Sequence, residues 1–347
     1  MVDRPTVTLV FLVYNRREEL RTSLRKMTVE SDYEGEVEAI VVDNASTDGA
    51  SEMVREEFPD VRLIRREDNC GVSAWNDGFA IADGDWVLAL DDDCYLPSDG
   101  LRRAVEAARE HRADLVSFAI GSSFDETARF DERYRTGLLS FWGCAVLMRR
   151  EVIAALGGFD PGIFIWAHEL EFMLRFYDRG FRHLHLPEVK AIHMKRVRAD
   201  WTEYMRMPDY RINAEHWAYI AAKLLRPRDA FEAVVALAAA NIRDGLRQER
   251  SAFAALPKTL AGAAAGLRRR QPVQNRELSR VYRHNFHSFA SPWWMSRPPA
   301  AFVRSAGRAL VRSTDGRSNG DRPPGRRERY FAERARYYPE RSSTLSF

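Results

Sequence analysis

Apolar runs alternate with helical patterns along the first 120 residues of the chain. The runs Thr6–Val13 and Glu36–Val42 are rich in branched residues, which is typical of strands buried on both faces. Asp85–Leu90 and Leu115–Ile120 predict two further strands, and apolar residues recur at helical spacing between the runs. This alternation predicts an α/β fold, a Rossmann-like and mostly parallel sheet covered by helices.

The middle of the chain has a different pattern. Phe141–Met148 is a further apolar run, and His168–Arg179 has helical spacing and stops at a glycine. We expect a short strand around Val189–His193 to complete this region. From about Trp201 the composition shifts to Ala and Arg with helical periodicity.

These changes divide the chain into three parts. Residues 1–200 form a first unit with two halves, 1–120 and 121–200, and residues 201–298 form a helical extension. Residues 299–347 are rich in Arg, Pro and Ser, so we expect this tail to be partly disordered.

The composition is that of a globular protein, with 45% apolar and 30% charged residues among 347 and a net charge of only +3. The three cysteines form no CxxC pair, which argues against a zinc site or a disulfide framework and for a reducing compartment. The N-terminus leads directly into a strand, and no apolar run approaches the ~20 residues that span a bilayer. We therefore expect a cytoplasmic protein, with contact at the inner face of the membrane as an additional option.

Three carboxylates, Asp91–Asp93, follow the apolar strand that ends at Leu90. In open parallel sheets, ligands bind beyond the carboxyl ends of the strands. Asp91 and Asp93 are spaced to hold one divalent cation between them. A solvated turn of like charges is the alternative.

Two polar segments follow other predicted strands. Residues 43–49, beginning with Asp43 and Asn44, lead into a helix, and a carboxylate there could accept hydrogen bonds from a base. Asn69 and Gly71 lie at a second helix entry, which suits phosphate groups. Each segment is also explained by an ordinary turn with a capping side chain.

Taken together, these segments resemble family 2 glycosyltransferases with the GT-A fold, especially rhamnosyltransferase-like members. The similarity covers roughly residues 5–195, with these signatures: residues 13–16 (VYNR), 43–49 (DNASTDG), 69–73 (NCGVS) with Asn76 and Gly78, 90–93 (LDDD), Gly143, 157–160 (GGFD), 168–171 (HELE) with Arg175 and Gly180, and His193. The resemblance implies that residues 1–200 are the GT-A catalytic domain, with a nucleotide-sugar half followed by an acceptor half.

The resemblance also assigns roles in donor binding. Asp43 would contact the base, Tyr14 and Arg16 would line the nucleotide pocket, and Asp91 and Asp93 would form a DxD motif. That motif would hold Mn²⁺ or Mg²⁺ on the donor diphosphate, with His193 as a further metal ligand. The donor-side residues in full are Tyr14, Arg16, Asp43, Asn44, Asn69, Gly71, Asn76, Asp91 and Asp92.

The helix that starts at His168 resembles the catalytic helix of the family. Glu169 would be the general base, although many members carry an acidic pair where this chain has His-Glu. His168 and Glu171 would face the acceptor, with Trp142 and Trp166 beside its pocket. For Glu171, an ion pair with the arginine four residues later is the preferred alternative.

These assignments predict an inverting glycosyltransferase that transfers a hexosyl or deoxyhexosyl group from a nucleoside-diphosphate sugar. Rhamnose from a deoxythymidine diphosphate donor and uridine diphosphate sugars are the donor candidates, and a glycan, a lipid-linked glycan or a small metabolite is the acceptor. A nucleotidyltransferase with the same carboxylate site and a non-catalytic binder of membranes or anionic polymers are the alternatives. The sequence has no GxGxxG after the first strand, which disfavours a dehydrogenase. The basic tail lacks interleaved aromatics until Tyr330, which disfavours a nucleic-acid binder.

Overall fold

The computed structural model describes residues 4–122, 140–194, 208–247 and 250–289. The strands are β1 (Val7–Val13), β2 (Val37–Asp43), β3 (Arg62–Arg65), β4 (Trp86–Asp91), β5 (Cys94–Tyr95), β6 (Leu115–Ser122), β7 (Ala145–Arg149) and β8 (His183–His193). Within the described residues they form one sheet in the order β3-β2-β1-β4-β7-β6-β8-β5.

The half of the sheet that contains β3, β2, β1 and β4 is entirely parallel, as the sequence predicts. Strands β1, β2 and β4 are mostly apolar because both faces of the sheet are covered. Val10 packs into the core on one face, whereas its neighbours Leu9 and Phe11 pack into the core on the other.

The other half of the sheet is mixed. β7 runs antiparallel to both of its neighbours, β4 and β6, and β8 then pairs in parallel with β6. The predicted strand at Val189–His193 is only the end of β8, whose earlier residues are mostly half-buried and include polar side chains. The two-residue strand β5 pairs with the end of β8.

Helices cover the sheet and continue beyond it. They are α1 (Arg17–Thr28), α2 (Ala50–Glu57), α3 (Trp75–Ile81), α4 (Gly100–Glu110), α5 (Arg150–Leu156), α6 (His168–Asp178), α7 (Pro208–Leu224), α8 (Pro227–Arg247), α9 (Leu256–Arg268) and α10 (Arg276–Phe289). Helices α7–α10 lie where the helical extension is expected. The three-part division of the chain stays a prediction, and the tail of residues 299–347 lies outside the described residues. Over the described segments, no helix is long and apolar enough to cross a membrane.

Glycines allow α9 to lie very close to α7. A side chain at Gly262 would meet the carbonyl oxygen of Glu215 at 2.0 Å, and one at Gly266 would meet that of Tyr219 at 2.3 Å. The missing side chains therefore let the two helix backbones touch, and α9 fixes α7 in place.

A buried cluster of charges joins α7 to the sheet domain. The ammonium group of Lys223 on α7 donates hydrogen bonds to Asp160 (2.5 Å) and to Glu171 (2.9 Å). Glu171 also accepts two hydrogen bonds from Arg175, at 2.8 and 2.6 Å, and the hydroxyl of Tyr219 donates to Asp160 at 2.8 Å. Two carboxylates thus face two cations away from water.

The cluster sets the protonation of its members. Burial by itself would raise the pKa of Asp160, but hydrogen bonds from Lys223, the Gly162 amide and Tyr219 outweigh it and lower the pKa. Burial likewise opposes the charge of Lys223, but the nearby Glu171 and Asp160 carboxylates raise its pKa overall. Both groups are therefore held in their charged forms.

The lowered pKa of Asp160 predicts a pH-dependent contribution to stability. The usual pKa of an aspartate is ~3.9, so this contribution is present above that pH and is lost as the pH falls towards the lower folded value. We expect Asp160→Asn to cost about 3–5 kcal/mol at neutral pH, because it leaves Lys223 partly unpaired. The variant should then lose less further stability than the wild type on acidification.

Guanidinium denaturation at neutral pH and near pH ~2, well below the usual pKa of an aspartate, measures both effects. The exposed Asp60→Asn serves as the control, with a wild-type response to pH. Equal acid sensitivity of Asp160→Asn and the wild type would contradict the role assigned to this pair.

Candidate functional site

The carboxyl ends of β1, β2 and β4 meet at one edge of the sheet. Asp43, the last residue of β2, pairs with the last residue of β1, and Asp91, the last residue of β4, pairs with the residue before it. Because β7 runs antiparallel to β4, its first residue, Ala145, also lies at this edge. The ends of four strands, with the carboxylates Asp43 and Asp91 among them, thus lie where the sequence predicts a ligand site.

Asp91, Asp93 and His193 form a cluster that could hold a metal ion. The imidazole Nε2 of His193 lies 3.0 Å from an oxygen of Asp93 and 3.8 Å from one of Asp91. One ligand atom of each residue lies within 4.8 Å of the others. Pairing between β5 and β8 causes this approach, since it places Cys94 opposite His193. Two carboxylates and an imidazole suit Mn²⁺ and, with added water ligands, Mg²⁺.

Arg16 is the cation that faces the acidic triplet. Its guanidinium donates to Asp93 at 2.7 Å and to Asp92 at 3.1 Å, and the backbone amide of Tyr14 donates to Asp92 at 3.2 Å. Burial raises the pKa of Asp92 to about 8; Arg16 opposes this rise, and the neighbouring carboxylates Asp93 and Asp91 add to it. The predicted pocket residue Arg16 therefore also holds the acidic segment in place, whereas Tyr14 is 47% exposed.

The carboxylate of Asp43 organises the turn after β2. It accepts hydrogen bonds from the amide of Ser46, at 2.7 Å, and from the hydroxyl of Ser51. Ser46 in turn accepts from the amide of Asn15 at 3.0 Å, which joins this turn to the one after β1. The turn alternative is thus present in the structure, and contact of Asp43 with a base stays a prediction.

Asn44, Asn69 and Gly71 belong to one hydrogen-bonded loop. The amide group of Asn44 donates to Asn69 (2.8 Å) and to the carbonyl of Gly71 (3.1 Å), and it accepts from the amide of Cys70 (3.1 Å). Gly71 has a φ of +68°, and a side chain there would meet the carbonyl oxygen of Phe164 at 1.9 Å. Only glycine allows this donor-side loop to touch the segment before α6.

Glu169 lies at the start of α6, beside the strand edge. The backbone amide of Gly143 donates to its carboxylate at 3.1 Å. The next residue, Cys144, accepts a hydrogen bond from the amide of Asp91 at 3.0 Å. The predicted base and the predicted metal ligands are therefore held by adjacent residues of one segment.

His168 is buried beside Glu169. Its Nδ1 lies 3.4 Å from a carboxylate oxygen of Glu169, and its ring packs edge-on against Phe159 with 5.0 Å between ring centroids. Within the described residues its ring nitrogens make no hydrogen bond. Direct contact of this histidine with an acceptor stays a prediction.

The other predicted residues have different surroundings. Glu171 is fully buried, and its carboxylate contacts Arg175 and Lys223, so the ion-pair alternative is present in the structure. Trp142 and Trp166 are half-buried, on the two segments that flank Glu169. Roles of these three residues in acceptor binding stay predictions.

Asn76, predicted on the donor side, bridges to the acceptor half. Its side chain donates to the carbonyl of Phe159 and accepts from the amide of the same residue, both at 2.8 Å. A side chain at Gly158 would meet this amide oxygen at 2.2 Å. The contacts fix the GGFD segment, and a role in nucleotide binding stays a prediction.

Three residues near the site were not predicted, namely His216, Tyr219 and Lys223 on α7. Each contacts the segment between Asp160 and Glu171. Their spacing of three and four residues on a helix rich in alanine was the available signal, because it places polar side chains on one face.

Comparison with known proteins agrees with this geometry. Residues 8–164 match the family model described as glycosyl transferase family 2. Glycosyltransferase AglE of Haloferax volcanii is 27% identical over 134 residues, which is 38% of this chain and 44% of that protein. An undecaprenyl-phosphate 4-deoxy-4-formamido-L-arabinose transferase of Proteus mirabilis is 38% identical over 111 residues, 30% of this chain and 34% of the relative. The chain thus spans less than half of the length of these curated relatives.

Among solved structures, the mannosyltransferase PcManGT from Pyrobaculum calidifontis, in complex with GDP-Man and Mn²⁺, is similar at a TM-score of 0.52. It is 21% identical, and the likeness covers 91% of this chain and 89% of that one. This likeness confirms the predicted GT-A fold, whereas the rhamnosyltransferase-like subtype stays a prediction. The match over residues 8–164 confirms the resemblance to glycosyl transferase family 2 that the motifs of the chain predict.

Proposed function

We propose that this protein is a metal-dependent, inverting glycosyltransferase that moves a sugar from a nucleoside-diphosphate donor to an acceptor hydroxyl. The observation that supports this most is the position of Glu169. Its carboxylate is bonded to Gly143, one residue away from the carbonyl that anchors Asp91. A base and a candidate metal cluster therefore lie at the same edge of the sheet.

Glu169 would act as the general base in a single displacement. Its carboxylate would take the proton of the acceptor hydroxyl as the oxygen attacks the anomeric carbon, and the bond to the donor diphosphate would break. Attack from the face opposite the leaving group inverts the configuration. A divalent cation held by Asp91, Asp93 and His193 would neutralise charge on the departing diphosphate.

The remaining roles follow the halves of the fold. Residues 1–120 would bind the donor and residues 121–200 the acceptor. The proposed donor-side residues are Tyr14, Arg16, Asp43, Asn44, Asn69, Gly71, Asn76 and Asp92. Trp142 and Trp166 would offer ring faces to the acceptor. His168 and Glu171 are the other two residues proposed on the acceptor side.

The donor is a nucleoside-diphosphate hexose or deoxyhexose, with uridine, guanosine and deoxythymidine as the candidate nucleosides. The mannosyltransferase of similar fold is in complex with GDP-Man, which adds guanosine to the two nucleosides suggested by the sequence. A relative named as an undecaprenyl-phosphate transferase supports a lipid-linked acceptor. Thermal-shift measurements with UDP, GDP and dTDP in the presence of Mn²⁺ would select the base.

A lipid-linked acceptor agrees with the surface of α8. Phe231 (71%), Val235 (50%), Ile242 (42%) and Leu246 (74%) are exposed, and their spacing places them on one face of the helix. On α9, Leu260 and Leu267 are exposed as well. Exposed apolar stripes on amphipathic helices are typical of proteins that lie on a membrane surface.

The first prediction concerns Glu169→Gln. This change keeps the size of the side chain but removes the base, so we expect kcat to fall by about 10²–10⁴-fold. Affinity for the nucleoside diphosphate should not change, because binding does not require the base. Release of nucleoside diphosphate from the donor measures turnover, and calorimetry measures affinity.

Glu151→Gln, an exposed change on α5, is the matched control and should behave as the wild type. Near wild-type turnover of Glu169→Gln would show that the base lies elsewhere. Transfer of a nucleotidyl group with release of inorganic pyrophosphate would instead favour a nucleotidyltransferase.

The second prediction concerns the metal cluster. Because Asp93 lies beside both His193 and Arg16, Asp93→Asn should weaken binding of Mn²⁺ by at least about tenfold. The Mn²⁺-dependent part of nucleoside-diphosphate binding, measured by calorimetry with and without the ion, should be lost. His193→Ala should give the same result with Arg16 and Asp93 still paired.

Asp60→Asn, which alters an exposed carboxylate, should keep the full Mn²⁺ effect. Circular dichroism would verify that the variants are folded. An unchanged Mn²⁺ effect in both Asp93→Asn and His193→Ala would exclude this cluster as the metal site.

The third prediction concerns the exposed face of α8. We expect the intact chain to float with vesicles that contain anionic lipid, and the double change Val235→Glu with Ile242→Glu to reduce the bound fraction, since it puts charge into the buried interface. Val29→Glu alters an apolar residue that is 69% exposed at the end of α1 and serves as the control. Equal flotation of all three proteins would remove α8 from the proposal.

A further inference from the structure

One face of α7 contacts the segment that leads to Glu169. His216, Tyr219 and Lys223 are spaced by three and four residues, so they lie on the same side of the helix. All three side chains are buried. They contact residues 160–171, which run from the end of the GGFD segment into the first turn of α6.

Lys223 and Tyr219 hold the two ends of this segment. Lys223 binds Asp160, just before the loop of residues 161–167, and Glu171, just after it. Tyr219 donates to the same carboxylate of Asp160. The distance across the loop is therefore fixed by one ammonium group from the helical extension.

His216 holds the middle of the loop. Its Nδ1 lies 2.8 Å from the carbonyl oxygen of Ile165, and the amide of Phe164 donates to its Nε2 at 3.4 Å. A carbonyl oxygen only accepts, so Nδ1 carries the proton and Nε2 accepts, as in a neutral imidazole. Burial lowers the pKa of His216, which favours that neutral form.

The loop requires such support because its backbone is strained. Trp166 and Ala167 have φ values of +56° and +61°, which cost roughly 1–2 kcal/mol each for residues other than glycine. Ala167 accepts the first hydrogen bonds of α6, from the amides of Leu170 and Glu171. The backbone conformation of Trp166 and Ala167 therefore sets the orientation of the first turn of α6, which carries Glu169.

The same loop touches the donor side. The carbonyl of Phe164 accepts a hydrogen bond from the amide of Val72 at 2.8 Å, beside the close contact with Gly71. Phe164 thus lies between the loop after Asn69 and His216 on α7. A change at α7 would reach both the base and the nucleotide side through this one residue.

We propose that His216, Tyr219 and Lys223 are positioning residues that hold the loop of residues 161–167 so that Glu169 faces the reacting hydroxyl. The helical extension then completes the active site, although its three residues act through the loop. This inference rests on the proposed role of Glu169.

His216→Leu tests the proposal, with His216→Asn as the conservative variant. Leucine removes both hydrogen bonds of the imidazole, whereas the asparagine amide can replace Nδ1–H as a donor to Ile165. We expect His216→Leu to lower turnover of the donor sugar about 10–100-fold, with unchanged affinity for the nucleoside diphosphate. His216→Asn should recover most of that loss.

Hydrogen exchange of the full-length chain gives a readout that needs no substrate. Amides in residues 161–167 and Val72 should exchange faster in His216→Leu than in the wild type, while β1 and β4 should not change. Tyr219→Phe removes only one hydroxyl and should give a smaller effect of the same kind, which covers the case that His216→Leu does not fold.

Asn241→Leu is the matched control for general damage to the extension. It breaks a buried 2.6 Å hydrogen bond to Thr259, between α8 and α9, without a change at the loop. Unaltered exchange of the loop in His216→Leu and Tyr219→Phe, or equal loss of turnover in Asn241→Leu, would overturn the inference. Faster loop exchange together with an active Glu169→Gln would instead mean that the base assignment is wrong and that α7 still holds the loop.

Discussion

Three consecutive carboxylates, Asp91–Asp93, lie at the end of β4 and face the guanidinium of Arg16 and the imidazole of His193. The rest of the structure depends on these contacts. Asp92 and Asp93 are buried at the end of β4, and taking a carboxylate out of water is costly unless it is paired. Arg16, at the entry to α1, bonds to both, and His193 approaches from the end of β8. These contacts connect the turn after β1 and the end of β8 to the same three carboxylates. The proposed donor site is built on this arrangement.

Local patterns were sufficient to predict β1, β2 and β4, three of the four strands in the parallel half of the sheet. Runs such as Thr6–Val13 are mostly apolar and rich in branched residues, the pattern typical of a strand covered on both faces. The four-residue β3, with the sequence RLIR and exposed ends, has no such pattern, and β8 alternates polar and apolar side chains and contains Pro187. β3 is too short to show a pattern of its own, and in β8 only the end, Val189–His193, was predicted, because Pro187 interrupts the earlier residues.

The site was predictable to the extent that its residues follow strand ends. Asp43, Asp91 and Asp93 meet because parallel strands end at one edge, a rule that needs only the order of elements. His193 and Glu169 were placed by resemblance to the family, and the structure brings both to that edge. The contacts of α7 could not be predicted, because Lys223 lies more than 50 residues from both of its partners and no local rule selects them.

The two charge clusters differ in their balance of charge and in their exposure to water. This difference distinguishes a structural role from a catalytic one. At the joint with α7, the buried carboxylates of Asp160 and Glu171 are matched by Lys223 and Arg175, and Arg269 adds a further cation 3.8 Å from Asp160, so no negative charge is left over. At the sheet edge, three carboxylates face the guanidinium of Arg16 and the imidazole of His193, and the Asp91 side chain is 30% exposed. Even with Asp92 protonated, the two carboxylates of Asp91 and Asp93 outnumber the single guanidinium of Arg16. A cluster with no negative charge left over is explained by folding alone, whereas an open acidic cluster beside Glu169 supports the divalent cation of the proposed function.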